Sequence, residues 1–328
     1  MRFHWDRNTV CGLCAILIWS TTVSLARSIS EQIGPLTAAS AVHLVGGALC
    51  LGYQIFRPRG SFRQILDLPP QYLFGCGALF VFYMLALFLA LGHASDRRQV
   101  LEVALLNYLW PALTILFSLP LLNKKAGLAL IPGTVLALLG VFLVLTQDHP
   151  LSLASLFGHA ATRPWAYALG VAAAVSWALY SNLTRLWAGP KSGGGVAFFL
   201  PATGLILLLL RLWEAEGGSW TLRAGLEVLF MGLSTAIAYV LWELAMRKGN
   251  IVFIAACSYL TPFLSTLLSC IYLQVNAGAT LWLGCFLIMV GSFLSWTSVS
   301  EKVSSIPPND AGGNLESGPD EVGNRKNY

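Results

Sequence analysis

Apolar residues occupy most of the chain in long runs, and charged residues fall in short stretches between those runs. A helix needs about 20 mainly apolar residues to cross the hydrocarbon core of a membrane. The pattern therefore predicts an all-α membrane protein with ten transmembrane helices and short connecting loops. The predicted spans are 9–28, 35–56, 70–92, 99–121, 127–146, 165–187, 194–213, 224–246, 251–273 and 279–299.

Composition favours lipid as the surrounding solvent. Hydrophobic residues make up 56% of the chain and charged residues only 11%, whereas a soluble domain carries roughly 25% charged residues. The net charge of +5 forms no basic stripe, which excludes nucleic acid as a partner. The sequence has no Walker loop, no Rossmann glycine pattern and no metal-ligand spacing, which argues against an enzyme and against a bound cofactor.

The two halves of the predicted bundle repeat one another. The segment Gly12–Arg27 aligns with Gly170–Arg185 at an offset of 158, and NYLWP from Asn107 aligns with SYLTP from Ser258 at an offset of 151. Glycines of the fifth and tenth spans also align at the second offset. Several matches in the same order indicate an internal duplication, because a single match between apolar helices arises easily by chance.

The duplication divides the chain into a first five-helix half, 1–146, and a second five-helix half, 165–299. The residues that follow, 300–328, are polar and rich in proline and glycine. Such a composition cannot bury a core, so we expect a disordered cytoplasmic tail. Five spans is an odd number, and the second half must therefore enter the membrane from the side opposite to the first.

Inverted repeats are typical of secondary transporters, whose substrate lies near the bilayer midplane where the halves meet. The architecture therefore predicts transport by alternating access. Two other classes are a membrane receptor, which should carry a signalling domain, and a membrane enzyme, which should cluster His, Asp or Glu at one interface. The short loops leave no room for the first, and the sequence shows no such cluster for the second.

The distribution of basic residues predicts the orientation, because cytoplasmic loops carry an excess of Lys and Arg. Most of the 20 Lys and Arg residues lie on the same side of the membrane as the N-terminus. The opposite side has only Arg27, Arg97, Arg98, Arg163, Arg211 and Arg223. Both termini are therefore predicted to be cytoplasmic.

Pro111 and Pro262 lie near the middle of the fourth and ninth spans. A proline inside a helix cannot donate to the carbonyl four residues before it, so the carbonyls of Asn107 and Ser258 would lose their helical partner. The kink recurs at equivalent positions of both halves, which favours a role in gating or substrate binding. The alternative is a kink that membrane helices simply tolerate.

Aromatic residues inside the spans are the other binding candidates. Trp19 and Trp177 are repeat counterparts near the centres of their spans, where the usual headgroup position of membrane tryptophans does not apply. A cavity walled by such rings suits an aromatic substrate with a small polar end, and helix packing is the alternative. The predicted substrate-binding residues are Trp19, Tyr83, Asn107, Tyr108, Trp110, Trp177, Tyr239, Ser258 and Tyr259.

Three ionisable residues, His43, Glu102 and Glu243, fall within predicted spans, where such residues are rare and often functional. Structural explanations compete with function, because Glu102 begins its span and Arg247 lies one helical turn after Glu243. None of the three recurs in the other half, so proton coupling and facilitated diffusion both remain open. Oligomeric state cannot be read from the sequence either.

Taken together, the half-repeats and the glycine pattern resemble the drug/metabolite transporter superfamily of the EamA type. More specifically, the segments Trp19–Arg27, Glu102–Phe117 and Gly249–Ser265 look like those of bacterial aromatic amino-acid exporters. The resemblance implies a basket-shaped ten-helix fold in the inner membrane that exports phenylalanine, tyrosine and tryptophan. It also implies a cavity lined by spans 1, 3, 4, 6, 8 and 9. A broader exporter of drugs or metabolites is the alternative within transport.

Overall fold

The computed structural model describes residues 6–56, 63, 67–92, 97–146, 158, 160–189, 194–213, 216–273 and 278–301. The tail predicted from residue 300 lies outside the described residues from 302 onward. The helices are α1 (Arg7–Ile33), α2 (Pro35–Phe56), α3 (Gly77–Gly92), α4 (Arg97–Asn107), α5 (Trp110–Leu121), α6 (Leu130–Thr146), α7 (Pro164–Trp187), α8 (Val196–Arg211), α9 (Leu222–Lys248), α10 (Ile251–Cys257), α11 (Leu260–Leu273) and α12 (Ala279–Thr297). A π-helical segment, Gln71–Cys76, leads into α3.

Each predicted span corresponds to one helix or to two consecutive helices. Within the described residues, six helical segments are long and apolar enough to cross a membrane: Pro35–Phe56, Gln71–Leu91, Glu102–Leu121, Pro164–Trp187, Leu222–Lys248 and Ala279–Thr297. Shorter apolar helices are Leu130–Thr146, Val196–Arg211 and Ile251–Ser265. The chain is therefore an all-α, multi-pass membrane protein, while the number of ten crossings stays a prediction.

The helices pair across a pseudo-twofold axis between the two repeats. Helix α1 packs along α9, and its repeat counterpart α7 packs along α3. Helix α2 packs on its own counterpart α8, and α6 packs on its own counterpart α12. Each half thus buries its apolar faces against the other half, and the interface between them runs through the centre of the bundle.

Glycines let the backbones of α6 and α12 approach closely. A methyl group added to Gly133 would lie 2.7 Å from the backbone nitrogen of Ser295, and one added to Gly291 would lie 2.3 Å from that of Ala137. The first part of α6 therefore faces the last part of α12, so the two helices are antiparallel. These contacts agree with a packing role for the aligned glycines.

The two ends of the bundle are named here after the predicted orientation. The inner end contains Asp6, Lys124 and Lys248, which border one surface depression. The outer end contains Gly34, where α1 turns into α2, and Glu216, which lies beside it. The first two helices follow each other so closely because Gly34 adopts φ +89°, a left-handed backbone conformation that other residues rarely tolerate.

Helix starts at both ends are capped by acidic side chains. Asp6 accepts hydrogen bonds from the backbone N–H groups of Asn8 and Thr9 at 2.9 Å, which begins α1. Burial by itself would raise the pKa of Asp6, but these hydrogen bonds, together with the Thr9 hydroxyl, hold that pKa below its usual value. At the outer end, Glu216 accepts from the N–H groups of Leu36 and Thr37 and so caps α2.

A short antiparallel ladder closes the inner end. Strand β1 (Lys124–Ala126) pairs with β2 (Val299–Glu301), with Lys125 opposite Ser300. Two residues of the predicted tail, Ser300 and Glu301, are therefore part of ordered structure. The pairing connects the chain just before α6 with the chain just after α12, which ties together the inner ends of these two neighbouring helices.

Candidate functional site

Trp19 of α1 and Trp177 of α7 meet at the interface between the two halves. Their ring centroids lie 5.8 Å apart with an interplanar angle of 71°. The two residues are repeat counterparts at the offset of 158, so their contact lies close to the pseudo-twofold axis. The structure thus brings together the two tryptophans that the sequence placed near the centres of their spans.

The Trp177 ring is 2% exposed, and other rings surround it. Tyr83 lies 4.7 Å away between centroids, Trp242 stacks on it at 5.8 Å and 28°, and Trp110 meets it edge-on at 6.2 Å. We call this group the aromatic cluster: Trp19, Phe80, Tyr83, Trp110, Trp177, Tyr180, Tyr239 and Trp242. It includes residues from both halves and from spans 1, 3, 4, 6, 8.

Towards the inner end, tightly packed rings continue the aromatic cluster. Phe80 contacts Tyr180 at 5.4 Å and Phe199 at 5.7 Å, and Phe199 contacts Tyr72 at 5.6 Å. All four side chains are fully buried. These four residues are named the inner aromatic layer, and they fill the space between α3, α7 and α8. Phe80 and Tyr180 belong both to this layer and to the aromatic cluster.

Towards the outer end, the aromatic cluster borders a cavity of about 200 Å³, which we call the outer cavity. Trp19, Tyr83 and Tyr239 form its aromatic wall, and His43 of α2 lines it from another side. The remaining lining comes from apolar and small polar residues near the outer ends of α1, α2, α3 and α9. The cluster thus has open space on its outer side and packed rings on its inner side.

A second concavity, of about 690 Å³, lies at the inner end, and we call it the inner depression. Arg185 lines it together with Lys124 and Lys248. The Arg185 guanidinium also donates to the carbonyl of Met246 at 2.7 Å and to the carbonyl of Gly249. Arg185 therefore ties the inner end of α7 to the last turn of α9, where carbonyls lack helical partners.

Five of the predicted binding residues belong to the aromatic cluster: Trp19, Tyr83, Trp110, Trp177 and Tyr239. Asn107 reaches its edge, because its side chain is hydrogen-bonded to the hydroxyl of Tyr83. The Tyr108 hydroxyl also lies near that of Tyr83, although the Tyr108 ring packs against the neighbouring core around α6 and α12.

The structure does not bring Ser258 and Tyr259 into the aromatic cluster. Ser258 is fully buried, and its hydroxyl donates to the carbonyl of Ile254 at 2.8 Å. Tyr259 is also fully buried and packs in the core formed by α6, α11 and α12. The repeat symmetry relates these two residues to Asn107 and Tyr108, but it does not give the two sets the same surroundings.

The predicted proline kinks coincide with short interruptions of the regular helix, which we call helix breaks. Helix α4 ends at Asn107 and α5 begins at Trp110, while α10 ends at Cys257 and α11 begins at Leu260. Pro111 and Pro262 therefore occupy the first turn of the following helix, where a missing N–H group costs little.

The Ser258 carbonyl has no helical partner four residues ahead, as expected, because that residue is Pro262, but another donor replaces it. That carbonyl accepts the N–H of Thr261 at 3.1 Å. Ser258 keeps helical backbone angles, and the chain tightens locally after it, so that a donor three residues ahead takes the place of the one four residues ahead.

Glu102 is enclosed by protein at the start of the fourth span. It is fully buried, and the hydroxyl of Tyr167 from the other half donates to its carboxylate. Glu243 is also buried and pairs with Arg247 at 3.5 Å, as its helical spacing predicted. The Glu243 carboxylate further accepts from the backbone N–H of Val196 at 3.1 Å, at the start of α8.

His43 is the third ionisable candidate, and it is 6% exposed. Its Nδ1 lies 2.7 Å from the carbonyl oxygen of Ala39, one turn earlier in α2. The ring meets Phe88 of α3 at 6.4 Å between centroids and nearly at right angles. Among the three candidates, His43 lines the outer cavity next to the aromatic cluster.

The sequence profile of the EamA-like transporter family matches residues 9–146 and 164–297. The match is double, as the duplicated architecture requires, and it covers more than half of the chain. The chain belongs to the EamA-like transporter family. The contact of Trp19 and Trp177 therefore lies between the two EamA-like repeats.

Named relatives and a solved structure agree with this assignment. The aromatic amino acid exporter YddG of Salmonella typhimurium (strain 14028s / SGSC 2262) is 32% identical over 298 residues, which cover 90% of this chain and 99% of that protein. YddG of Escherichia coli (strain K12) is 32% identical, with 89% and 97% covered. YddG of Ancylobacter novellus is 30% identical, with 87% and 95% covered. A crystal structure that is 27% identical superposes with a TM-score of 0.75 and covers 89% of this chain and 98% of its own.

Sequence reasoning missed several rings of this EamA-like transporter, above all Phe80, Tyr180 and Trp242. Most of the predicted residues recur in both repeats, whereas these rings do not. At the offset that aligns Tyr83 with Tyr239, Phe80 aligns with Ala236 and Trp242 with Ala86. A large side chain in one half thus corresponds to a small one in the other, so the repeat carried no signal for these positions.

Proposed function

We propose that this chain is a secondary exporter of aromatic amino acids, namely phenylalanine, tyrosine and tryptophan. It acts by alternating access in the inner membrane of a bacterium, with both termini in the cytoplasm and with the halves 1–146 and 165–299 moving relative to each other. The observation that carries the proposal is the aromatic cluster around Trp177, which lies between the two halves. The YddG relatives, whose printed name is aromatic amino acid exporter, support the same substrate class.

The chemistry of the outer cavity fits an aromatic amino acid. Favourable contacts between aromatic rings are worth about 0.5–1.5 kcal/mol per pair beyond the burial of apolar area. A substrate ring against Trp19, Tyr83 and Tyr239 gains several such contacts at once. The volume of about 200 Å³ is small beside the roughly 300–1,000 Å³ of pockets for drug-sized ligands, which favours a substrate as small as an amino acid.

The arrangement of space around the aromatic cluster corresponds to an outward-facing state. The outer cavity reaches the cluster from one end, while the inner aromatic layer and the Arg185 hydrogen bonds close the other end. In an exporter, the substrate enters from the inner depression when these contacts separate and leaves through the outer cavity. The inverted repeats relate the two states, because each half takes the other's place in the opposite state.

Uptake into proteoliposomes tests the proposed function. Purified protein is reconstituted, and counterflow of labelled phenylalanine, tyrosine and tryptophan is compared with that of alanine and of a cationic dye. We expect the three aromatic amino acids to exchange well above protein-free vesicles and above alanine. Dye transport at an equal rate would instead indicate a broad exporter of drugs and metabolites. No exchange of aromatic amino acids by protein that remains folded would contradict the proposal.

A further inference from the structure

We infer that the Nε2 atom of His43 accepts a hydrogen bond from the ammonium group of the substrate in the outer cavity. The inference rests on the proposed function, because it assigns a recognition residue to the same site. His43 binds the polar end of the substrate, whereas the aromatic cluster binds its ring.

The backbone of α2 fixes the tautomer of His43. The carbonyl oxygen of Ala39, 2.7 Å from Nδ1, can only accept a hydrogen bond. Nδ1 therefore carries a proton and donates it to Ala39. In the neutral imidazole the other nitrogen, Nε2, then has a free lone pair and acts as an acceptor.

Nε2 is buried and has no hydrogen-bond partner in the protein. The hydrogen bond of Nδ1 runs back along α2, so Nε2 points away from the backbone of that helix. His43 itself lines the outer cavity. A ligand in the cavity that carries an N–H donor would satisfy this acceptor, and a carboxylate would not, since a carboxylate brings only further acceptors.

The position of His43 suits the length of an aromatic amino acid. With a rise of about 1.5 Å per residue, His43 lies about 12 Å from the outer end of α2, and Trp19 lies about 21 Å from the outer end of α1. The acceptor is thus nearer the outer end of the bundle than Trp19 is. A substrate whose ring rests on Trp19 extends its ammonium group outward, towards His43.

Binding of three related probes tests the inference. Phenylalanine carries both the ammonium and the carboxylate, phenethylamine carries only the ammonium, and 3-phenylpropionate carries only the carboxylate. Their dissociation constants are measured on the purified full chain in detergent. For the wild-type protein we expect phenethylamine to bind more tightly than 3-phenylpropionate. The reverse order would overturn the inference without any substitution.

Two substitutions then isolate the acceptor. We expect His43→Leu to weaken the binding of phenylalanine and phenethylamine about tenfold or more, because a hydrogen bond to a charged donor is lost. The affinity for 3-phenylpropionate should stay unchanged. His43→Gln should recover part of the loss, since the Gln side-chain oxygen can reach the position of Nε2. A loss that is equal for all three probes would show that His43 only supports packing, and this too would overturn the inference.

A matched control lies on the same helix. Leu49 of α2 is 39% exposed and does not line the outer cavity, so Leu49→Ala should change none of the three affinities. The transport assay separates this inference from the proposed function. Tight phenethylamine binding that depends on His43, without exchange of aromatic amino acids, would contradict the proposed export function and support His43 as a hydrogen-bond acceptor.

Discussion

The carbonyl oxygen of Gly284 lies 2.6 Å from the position that a methyl group on Gly140 would take. The repeat relates Gly140 to Gly291 and Gly284 to Gly133, and a methyl group on Gly291 would lie 2.5 Å from the carbonyl oxygen of Gly133. The same contact thus occurs twice, once on each side of the pseudo-twofold axis. Such a pair of contacts arises only when two equivalent helices cross antiparallel. The glycine contacts are therefore those expected of inverted repeats.

Gly140→Ala should destabilise the protein, because neither backbone can move away without separating α6 from α12. Overpacking of this kind costs roughly 1–3 kcal/mol, and we expect a lower midpoint of thermal unfolding in detergent. Gly52→Ala is the control, since nothing lies within 4 Å of the added methyl group. It should leave the midpoint unchanged or raise it slightly. Equal midpoints for both variants would contradict the close packing of α6 on α12.

A packing role for the glycines could be predicted, because small residues at a regular helical spacing let two helices approach closely. Trp19 and Trp177 could be singled out because they are repeat counterparts near the centres of their spans. In contrast, the place of Ser258 and Tyr259 depends on which neighbours fill the space around them, and the two halves differ there. The contacts of Glu102 with Tyr167 and of Glu243 with Val196 join distant parts of the chain, and no local pattern encodes them.

Trp177→Ala should lower transport of aromatic substrates more than transport of alanine. The Trp177 ring contacts most of the aromatic cluster, and loss of one ring pair costs roughly 1 kcal/mol. Trp110→Ala should act in the same direction. Trp282, which is 55% exposed on α12, provides the control substitution Trp282→Ala. Proteoliposome counterflow measures the effect, and equal losses for aromatic substrates and alanine would point to folding or gating.

Single cysteines introduced for labelling should show the predicted orientation. A membrane-impermeant reagent added outside intact cells should label Ser219→Cys and a cysteine in the loop near His149, which lies outside the described residues. The same reagent should leave cysteines at Lys124 and Lys248 unlabelled until the cells are opened. The loops near Arg59 and Lys191, also outside the described residues, should behave like Lys124. Labelling of the C-terminal tail from outside would contradict both the orientation and the even number of spans.

Arg185→Gln should favour the inward-facing state. The substitution removes charge-assisted hydrogen bonds to Met246 and Gly249, each worth about 1.5–3 kcal/mol, and so frees the inner end of α9. A cysteine at Val252, which lines the inner depression, should then react faster from the inner side. Arg185→Lys should not restore the wild-type rate, because an ammonium cannot reproduce the geometry of the guanidinium.

Arg223 offers the matched control for this change. It is also an arginine near a helix end, but its side chain is 76% exposed and pairs with Glu227 one turn away. Such surface pairs contribute roughly 0.3–0.5 kcal/mol. Arg223→Gln should therefore leave the reactivity at Val252 unchanged. If Arg185→Gln changed the reactivity no more than Arg223→Gln does, the Arg185 hydrogen bonds would not hold the inner end closed.

The two helix breaks yield the prediction that depends most directly on the inverted symmetry. Pro111 and Pro262 each stand in the first turn after a break. Alanine at either position adds a backbone N–H group and removes the ring, so a continuous helix through the break becomes more favourable. In Pro262→Ala the new N–H group must share the Ser258 carbonyl with Thr261. We therefore expect Pro262→Ala to straighten its helix less than Pro111→Ala does.

Because the halves are inverted, straightening the α4–α5 pair and straightening the α10–α11 pair should favour opposite access states. A cysteine near the midplane should become more reactive from one side in Pro111→Ala and from the other side in Pro262→Ala. Pro120, which is exposed near the end of α5, gives the control Pro120→Ala, and this variant should favour neither side. A shift in the same direction for both variants would mean that packing sets the breaks. The moving contacts would then have to be those of the aromatic cluster, where Trp19 and Trp177 join the two halves.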